Sequence, residues 1–267
     1  MIPQREAISA RANSDHALVG SKSSKPCCIF CEREQASNEH VFGRWLSRLL
    51  ADAAPFALTK TPGRSVSGLK TINVKTRAPC KSCNGGWMSR SESEAKMLLP
   101  PMICGETTDW DTAQQVRAAR WTFKTALMLD RSSTASRVAP VHHFRSLFEH
   151  QLPPGSVTVY LARYFPGVGE DHVGVIGSSY RPRNVNTSLY PDPYQITFSI
   201  GQAVFQVFGH SGTAPLEIRR VGQLNSGLVV PVNDQFLQLW PSRTKELAWP
   251  PAGSHLDTAS LQALARF

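Results

Sequence analysis

The chain of 267 residues lacks any long apolar run. No stretch reaches the roughly 18 uninterrupted apolar residues of a membrane span, which excludes a spanning helix. The first 25 residues, MIPQREAISARANSDHALVGSKSSK, contain no apolar h-region. No secretory signal is read there, so a cytoplasmic location with no membrane partner is expected. Acidic side chains are too few for an acidic, chaperone-like surface: 20 Asp and Glu stand against 29 Lys and Arg, a net charge of +9. No internal repeat occurs, and the second half has neither a glycine-rich phosphate loop nor a triad motif. Cysteine is scarce as well, with six residues and none after Cys104.

What is present is unevenly placed. Residues 1–104 carry 15 basic and 8 acidic side chains, whereas residues 105–267 carry 14 and 12. The basic lean toward a polyanionic partner therefore sits with the cysteines. Four thiolates on one zinc ion would lower that segment's net charge only to about +5.

Texture divides the chain into three parts. Residues 1–25 are polar, Ser-rich and aperiodic, and read as a mobile arm. Residues 26–104 form a small cysteine-bearing module. In it Trp45, Leu46, Leu49 and Leu50 recur at helical spacing, Leu69, Ile72 and Val74 suggest short strands, and CKSCNGG opens a second helix that Pro100 and Pro101 stop. Residues 105–267 read as an α+β domain with a mostly antiparallel sheet. A long amphipathic helix places Val116, Ala119, Phe123 and Leu127 on one face, with Thr112 as its N-cap. A second helix starts at Pro140 and points Val141, Phe144 and Phe148 inward. The runs SVTVYLARYF, HVGVIG, YQITFSI, AVFQVFG and LEIRR have strand composition, and DTASLQALARF closes as a helix.

Cys28-x2-Cys31 and Cys80-x2-Cys83 are the strongest signal. Each CxxC puts two thiolates on one tight turn, and two such turns supply the sulfurs of a tetrahedral structural zinc site. The alternatives are a pair of disulfides, disfavoured in a reducing cytosol, or two unrelated turns. Cys27 is an alternative ligand to Cys28, and Cys104 reads as a buried free thiol.

Glu39-His40 lies between the two pairs, and Asn84 follows Cys83 directly. Alone, a Glu-His dipeptide carries little, and Asp171-His172 reads as surface. A zinc knot joining 28–31 to 80–83 would, however, hold Glu39, His40 and Asn84 close together. A carboxylate and an amide oxygen suit Mg²⁺, and an imidazole can take a proton from water near neutral pH.

CxxC, then Glu-His-Val, then CxxCN resembles the zinc-bearing HNH, or ββα-metal, endonucleases. SNEHVFGRWL and CKSCNGGWMSRSESE are similar to a bacterial and phage subgroup of that family, over about residues 26–100. Weaker likeness continues in RWTFKTALMLD and in Trp240-Pro241 and Trp249-Pro250. Two departures stand out. Gly43 replaces the usual proline, and the last histidine of the triad is absent, with Glu92 in the subgroup's corresponding place. The resemblance implies a zinc-stapled ββα-metal module and a metal-dependent DNA endonuclease. His40 would be the general base, and Glu39 and Asn84, helped by Glu92, would hold one Mg²⁺ or Mn²⁺ ion.

Arg44 and Arg48 lie one turn apart on a helix and, with Lys81 and Arg90, are the candidate nucleic-acid contacts; Lys75 is another. DNA is the expected partner, and RNA is not excluded. Trp45 and Trp87 read as core anchors rather than stacking platforms, and Gly85-Gly86 as a tight turn into the helix. His142, His143, His150 and His210 read as capping, surface or core residues, while Trp121 and Lys124 are expected to pack against the cysteine module. The role of residues 105–267 stays open among DNA docking, homo-oligomerisation, and binding of a small-molecule or protein regulator. The competing readings are a non-catalytic zinc-knuckle nucleic-acid binder and a ligand-gated sensor with an HNH output.

Overall fold

The computed structural model describes residues 26–51, 56–61, 64–69, 73–132, 137–165, 177–181, 187–216, 235–252 and 255–265, with 56–61 and 64–69 as backbone. The arm expected over residues 1–25, most of HVGVIG and LEIRR, and Asp171-His172 lie outside them.

Two short strands, β1 (Glu39–His40) and β4 (Lys75–Thr76), pair antiparallel with His40 opposite Lys75. Between them come helix α1 (Arg44–Leu49) and a hairpin of β2 (Phe56–Thr61) and β3 (Arg64–Leu69). After β4 the chain turns helical through α2 (Lys81–Cys83), one wide turn at Asn84–Met88, and α3 (Ser89–Leu98). The wide turn is set by Gly86, whose ψ of −108° leaves the helical region. Pro100 and Pro101 do not end helicity; they occupy the first positions of α4 (Pro100–Cys104), where a missing N–H costs nothing. Cys104 is exposed rather than buried, because Met102 and Ile103 take the inward side of that single turn.

Strand β5 (Thr108–Asp111) leads into the long helix α5 (Thr112–Ser132). Its cap is Asp111, not Thr112: Asp111 Oδ1 accepts from the Gln114 N–H at 2.7 Å, and Gln114 Oε1 accepts from the Asp111 N–H at 2.9 Å. This reciprocal box satisfies two donors at the helix start. The amphipathic face fills the N-terminal part only. Every residue from Trp121 to Asp130 is buried, so α5 becomes a central helix covered on all sides.

On one side of α5 lies a five-stranded antiparallel sheet in the order β10-β6-β9-β8-β7: Phe236–Trp240, Val157–Arg163, Ala203–Gly209, Tyr194–Ile200 and Gly177–Tyr180. Trp121 meets Phe198 and Phe205 edge-on at 6.2 and 5.7 Å. On the other side α5 packs against α3. β11 (Glu246–Trp249) pairs with β5, and α7 (Thr258–Ala265) covers part of the sheet's far face through Leu261 and Leu264. The fold is thus α+β with antiparallel sheets. Helix α6 (Val141–His150) turns His143, Phe144 and Leu147 inward, which leaves Val141 43% exposed against expectation.

The core does not stop at the expected boundary after Cys104. One continuous cluster of buried side chains runs from Cys28 and Phe30 through Trp121 and Phe144 to Trp249. Phe30, beside Cys28, stacks edge-on against both Trp87 at 5.5 Å and Phe144 at 5.3 Å. No helix among the described residues is long and apolar enough to cross a membrane.

Candidate functional site

The cysteine turns are built by backbone hydrogen bonds before any ion is considered. Cys28 N–H donates to the Glu34 carbonyl at 2.7 Å and the Cys28 carbonyl accepts from Glu32 N–H at 2.9 Å, closing a tight turn with Glu32 at φ 55°. Across from it, Cys80 stands just before α2, where its sulfur accepts from the Cys83 N–H at 3.4 Å. Ile29 N–H donates to the Ala78 carbonyl at 3.0 Å and ties the two turns together.

The four sulfurs of Cys28, Cys31, Cys80 and Cys83 lie within 4.8 Å of one another. Cys28–Cys83 are 3.8 Å apart and Cys31–Cys80 3.7 Å. A tetrahedron with zinc–sulfur bonds of about 2.3 Å has edges of about 3.8 Å, so the cluster has the size of a structural zinc site. Disulfides would need sulfurs about 2.05 Å apart, and all six cysteines are free thiols. Cys27 is exposed and outside the cluster, which leaves Cys28 as the fourth donor. Burial, together with the Cys28 and Cys31 sulfurs, pushes Cys80 up to about 11, and burial with the Cys28 charge raises Cys83 further. Burial also acts on Cys31, but the Arg33 N–H and the neighbouring thiols outweigh it and lower that group. Four crowded, buried sulfurs are the kind of site that a bound dication stabilises.

Beside this knot opens a cleft of about 280 Å³. Glu39, His40, Arg44, Asn84, Glu92 and Lys124 all line it. Strand β1 delivers Glu39 and His40, and the turn that holds Cys83 delivers Asn84 one residue later. Asn84 Nδ2 donates to Glu39 Oε2 at 2.7 Å, and Ser37 donates to Glu39 Oε1. The amide is therefore turned with its oxygen side left over, and Asn84 Oδ1 has no protein donor among the described residues. The hydrogen bond from the Asn84 amide nitrogen thus brings an amide and a carboxylate side by side on the cleft wall. His40 is half-buried, and its imidazole makes no protein hydrogen bond among the described residues.

No family model, curated protein or solved structure matches this chain.

Glu92 lines the same cleft but is engaged differently from the expectation. Its Oε2 accepts from Trp45 Nε1 at 2.8 Å, and its Oε1 accepts from Trp121 Nε1 at 3.0 Å and from Lys124 Nζ. Both Glu92 oxygens thus accept from indole or ammonium donors, which holds the carboxylate in place on the cleft wall. Gly43 has a steric reason: a Cβ there would stand 2.4 Å from Glu92 Oε2 and 2.6 Å from the Trp45 ring. The departure from proline is thus matched to the Glu92 junction.

Trp87 is buried as a core anchor, and Trp45 is half-buried on the Glu92 carboxylate. Trp121 and Lys124 do pack against the cysteine module, as expected. Arg44, Arg48, Lys75, Lys81 and Arg90 are all exposed, and Arg44 alone of them lines the cleft. Two participants escape sequence reasoning. Ser37 orients Glu39, and Lys124 belongs to the cleft itself. Neither has a motif, and their partners lie 2 and 32 residues away.

Proposed function

We propose that the chain is a metal-dependent endonuclease of HNH type that hydrolyses phosphodiester bonds of DNA. The observation that supports this best is the shared cleft. It joins an unengaged histidine, a carboxylate–amide pair and an arginine on one wall, next to a four-cysteine cluster suited to zinc. The paired strands β1 and β4, followed by the helix that starts at Cys80–Cys83, support the reading that the resemblance implies, with α1 and the β2–β3 hairpin inserted between the two strands.

His40, with no protein partner to hold its ring nitrogens, takes a proton from the attacking water. Ser37 and the Asn84 amide fix the Glu39 carboxylate, so its oxygens stay aimed at the cleft. When bound by Glu39 and Asn84, a Mg²⁺ or Mn²⁺ ion supplies positive charge against the scissile phosphate. Arg44 reaches the same space and offers a second, fixed charge to phosphate oxygens. The exposed Arg48, Lys75, Lys81 and Arg90 extend the positive surface and imply a salt-sensitive affinity for DNA.

The test is plasmid cleavage with Mg²⁺ or Mn²⁺ by wild type and His40→Ala, with zinc content measured on both. His40→Ala should lose about 10²–10⁴-fold in rate at equal zinc. Equal cleavage by both proteins overturns the assignment of the base. DNA retention without cleavage by either favours the non-catalytic binding module.

A further inference from the structure

We propose that Lys124 is the cation that meets a phosphate oxygen inside the cleft, with Glu92 as its positioning residue. This deepens the phosphodiester reading above and rests on it. Lys124 comes from α5, 32 residues beyond Glu92, and reaches the cleft wall opposite no motif that would announce it.

The side chain is 3% exposed, yet Lys124 is one of the residues that line the cleft. An ammonium carries three N–H donors. Among the described residues its one oxygen partner is Glu92 Oε1, and that oxygen also accepts from Trp121 Nε1. A buried cation needs more acceptors than one shared oxygen. The open space in front of it is bordered by Glu39, His40 and Asn84, where the reacting phosphate would sit. An anionic phosphate oxygen there supplies the missing acceptor.

Glu92 explains why the ammonium stays in place. Two indole N–H groups pin its carboxylate from both sides, and the Trp121 ring lies 5.6 Å from Lys124 Nζ, giving cation–π support. The carboxylate cannot swing away to follow the lysine, so the lysine is fixed relative to the cleft. A purely structural pair would gain little from this arrangement, because a buried ion pair is on average no more stabilising than an apolar pair of the same volume. The cleft is therefore composite, its first wall from residues 39–92 and its buried cation from α5.

The experiment measures binding of a fluorescein-labelled 20-mer DNA duplex by the full chain without added divalent cation, across a salt series. Lys124→Met should bind about tenfold more weakly at 0.1 M salt, and its log–log salt slope should fall by about 0.9, the signature of one lost phosphate contact. Lys124→Arg should keep the slope. Should Lys124→Met melt early or lose zinc because Glu92 is left unpaired, Glu92→Gln/Lys124→Met removes the pair together and is read in the same way. Unchanged affinity and slope in either folded variant overturns the proposal. Cleavage is scored separately: a wild type that never cleaves, with the slope loss intact, removes hydrolysis but keeps Lys124 as a phosphate contact. A wild type that cleaves, with the slope unchanged in the variant, removes Lys124 alone.

Discussion

Two histidines in this molecule sit in opposite situations. His40 lines the cleft, half-buried and with no protein hydrogen bond to its imidazole among the described residues. His143 is buried in α6 with both nitrogens engaged, Nδ1 to the Tyr194 hydroxyl at 2.7 Å and Nε2 to Ser156 Oγ at 3.1 Å. Burial first, then the neighbouring His142 and His210, lowers His143 to about 3, so it is neutral at any physiological pH. Burial likewise raises Tyr194, with the Asp130 charge adding to the effect. The second cluster contains the residue types of a catalytic relay and has no open valence. What separates the two histidines is the unfilled bond, not the residue type.

Exchanging the damage between the two sites is the sharpest way to break this contrast. His40→Ala should reduce cleavage by about 10²–10⁴-fold and leave the melting temperature where it was. His143→Ala should do the reverse. It leaves a buried hydroxyl on Tyr194 and another on Ser156 without their partner, plus a cavity, and should cost about 3 kcal/mol in urea unfolding. Cleavage per folded molecule should be unchanged. If His143→Ala lost activity at full stability, the closed cluster would have to be part of the chemistry.

A smaller effect is expected at Gly43. The added methyl group of Gly43→Ala collides with Glu92 and Trp45, and overpacking of this kind costs about 1–3 kcal/mol. A melting curve identical to wild type would mean that the Glu92 junction tolerates the strain.

The smallest effect is a pH slope. His143 titrates near 6.5 when unfolded and at about 3 when folded, so the unfolded chain binds the extra proton first. Its contribution is complete above about 6.5 and is lost as pH falls toward 3, at about 1.4 kcal/mol per pH unit. His210, lowered by burial, acts in the same direction. Asp130 acts oppositely, because burial raises its carboxyl despite the Val138 and Ala139 N–H donors, so its share is lost as pH rises. Urea unfolding at pH 7 and pH 5 should show a drop for wild type and a smaller one for His143→Phe. Equal drops would remove His143 from the account.

The parts of this picture that were legible in the sequence are those encoded by spacing. Two CxxC turns and the helical repeat around Trp45 announce themselves over a few residues, and β6, β8 and β9 have unmistakable strand composition. The short pairing of β5 with β11 does not, since TDWD and ELAW are four residues each and meet from more than a hundred positions apart. FLQLW escaped as well, because β10 is half-buried along most of its length and shows no alternation. Asp111 outcompeted Thr112 as the cap because Gln114 stood ready to return the hydrogen bond. Glu92 entered as an ion ligand through the resemblance alone. Its hydrogen bonds to Trp121 and Lys124 come from 29 and 32 residues away, which a local pattern cannot place.

The reach of α5 into the cleft also sets an order of events during synthesis. Chains leave the ribosome from the N-terminus at about 5–20 residues per second, and domains generally form as they emerge. Residues 39–92, with both cysteine turns, are made before Lys124. Because one core runs from Cys28 and Phe30 through Trp121, the knot and the first wall of the cleft are packed only when α5 follows, seconds later. A half-made chain is in this sense a site with its floor missing, and only passage of α5 closes it.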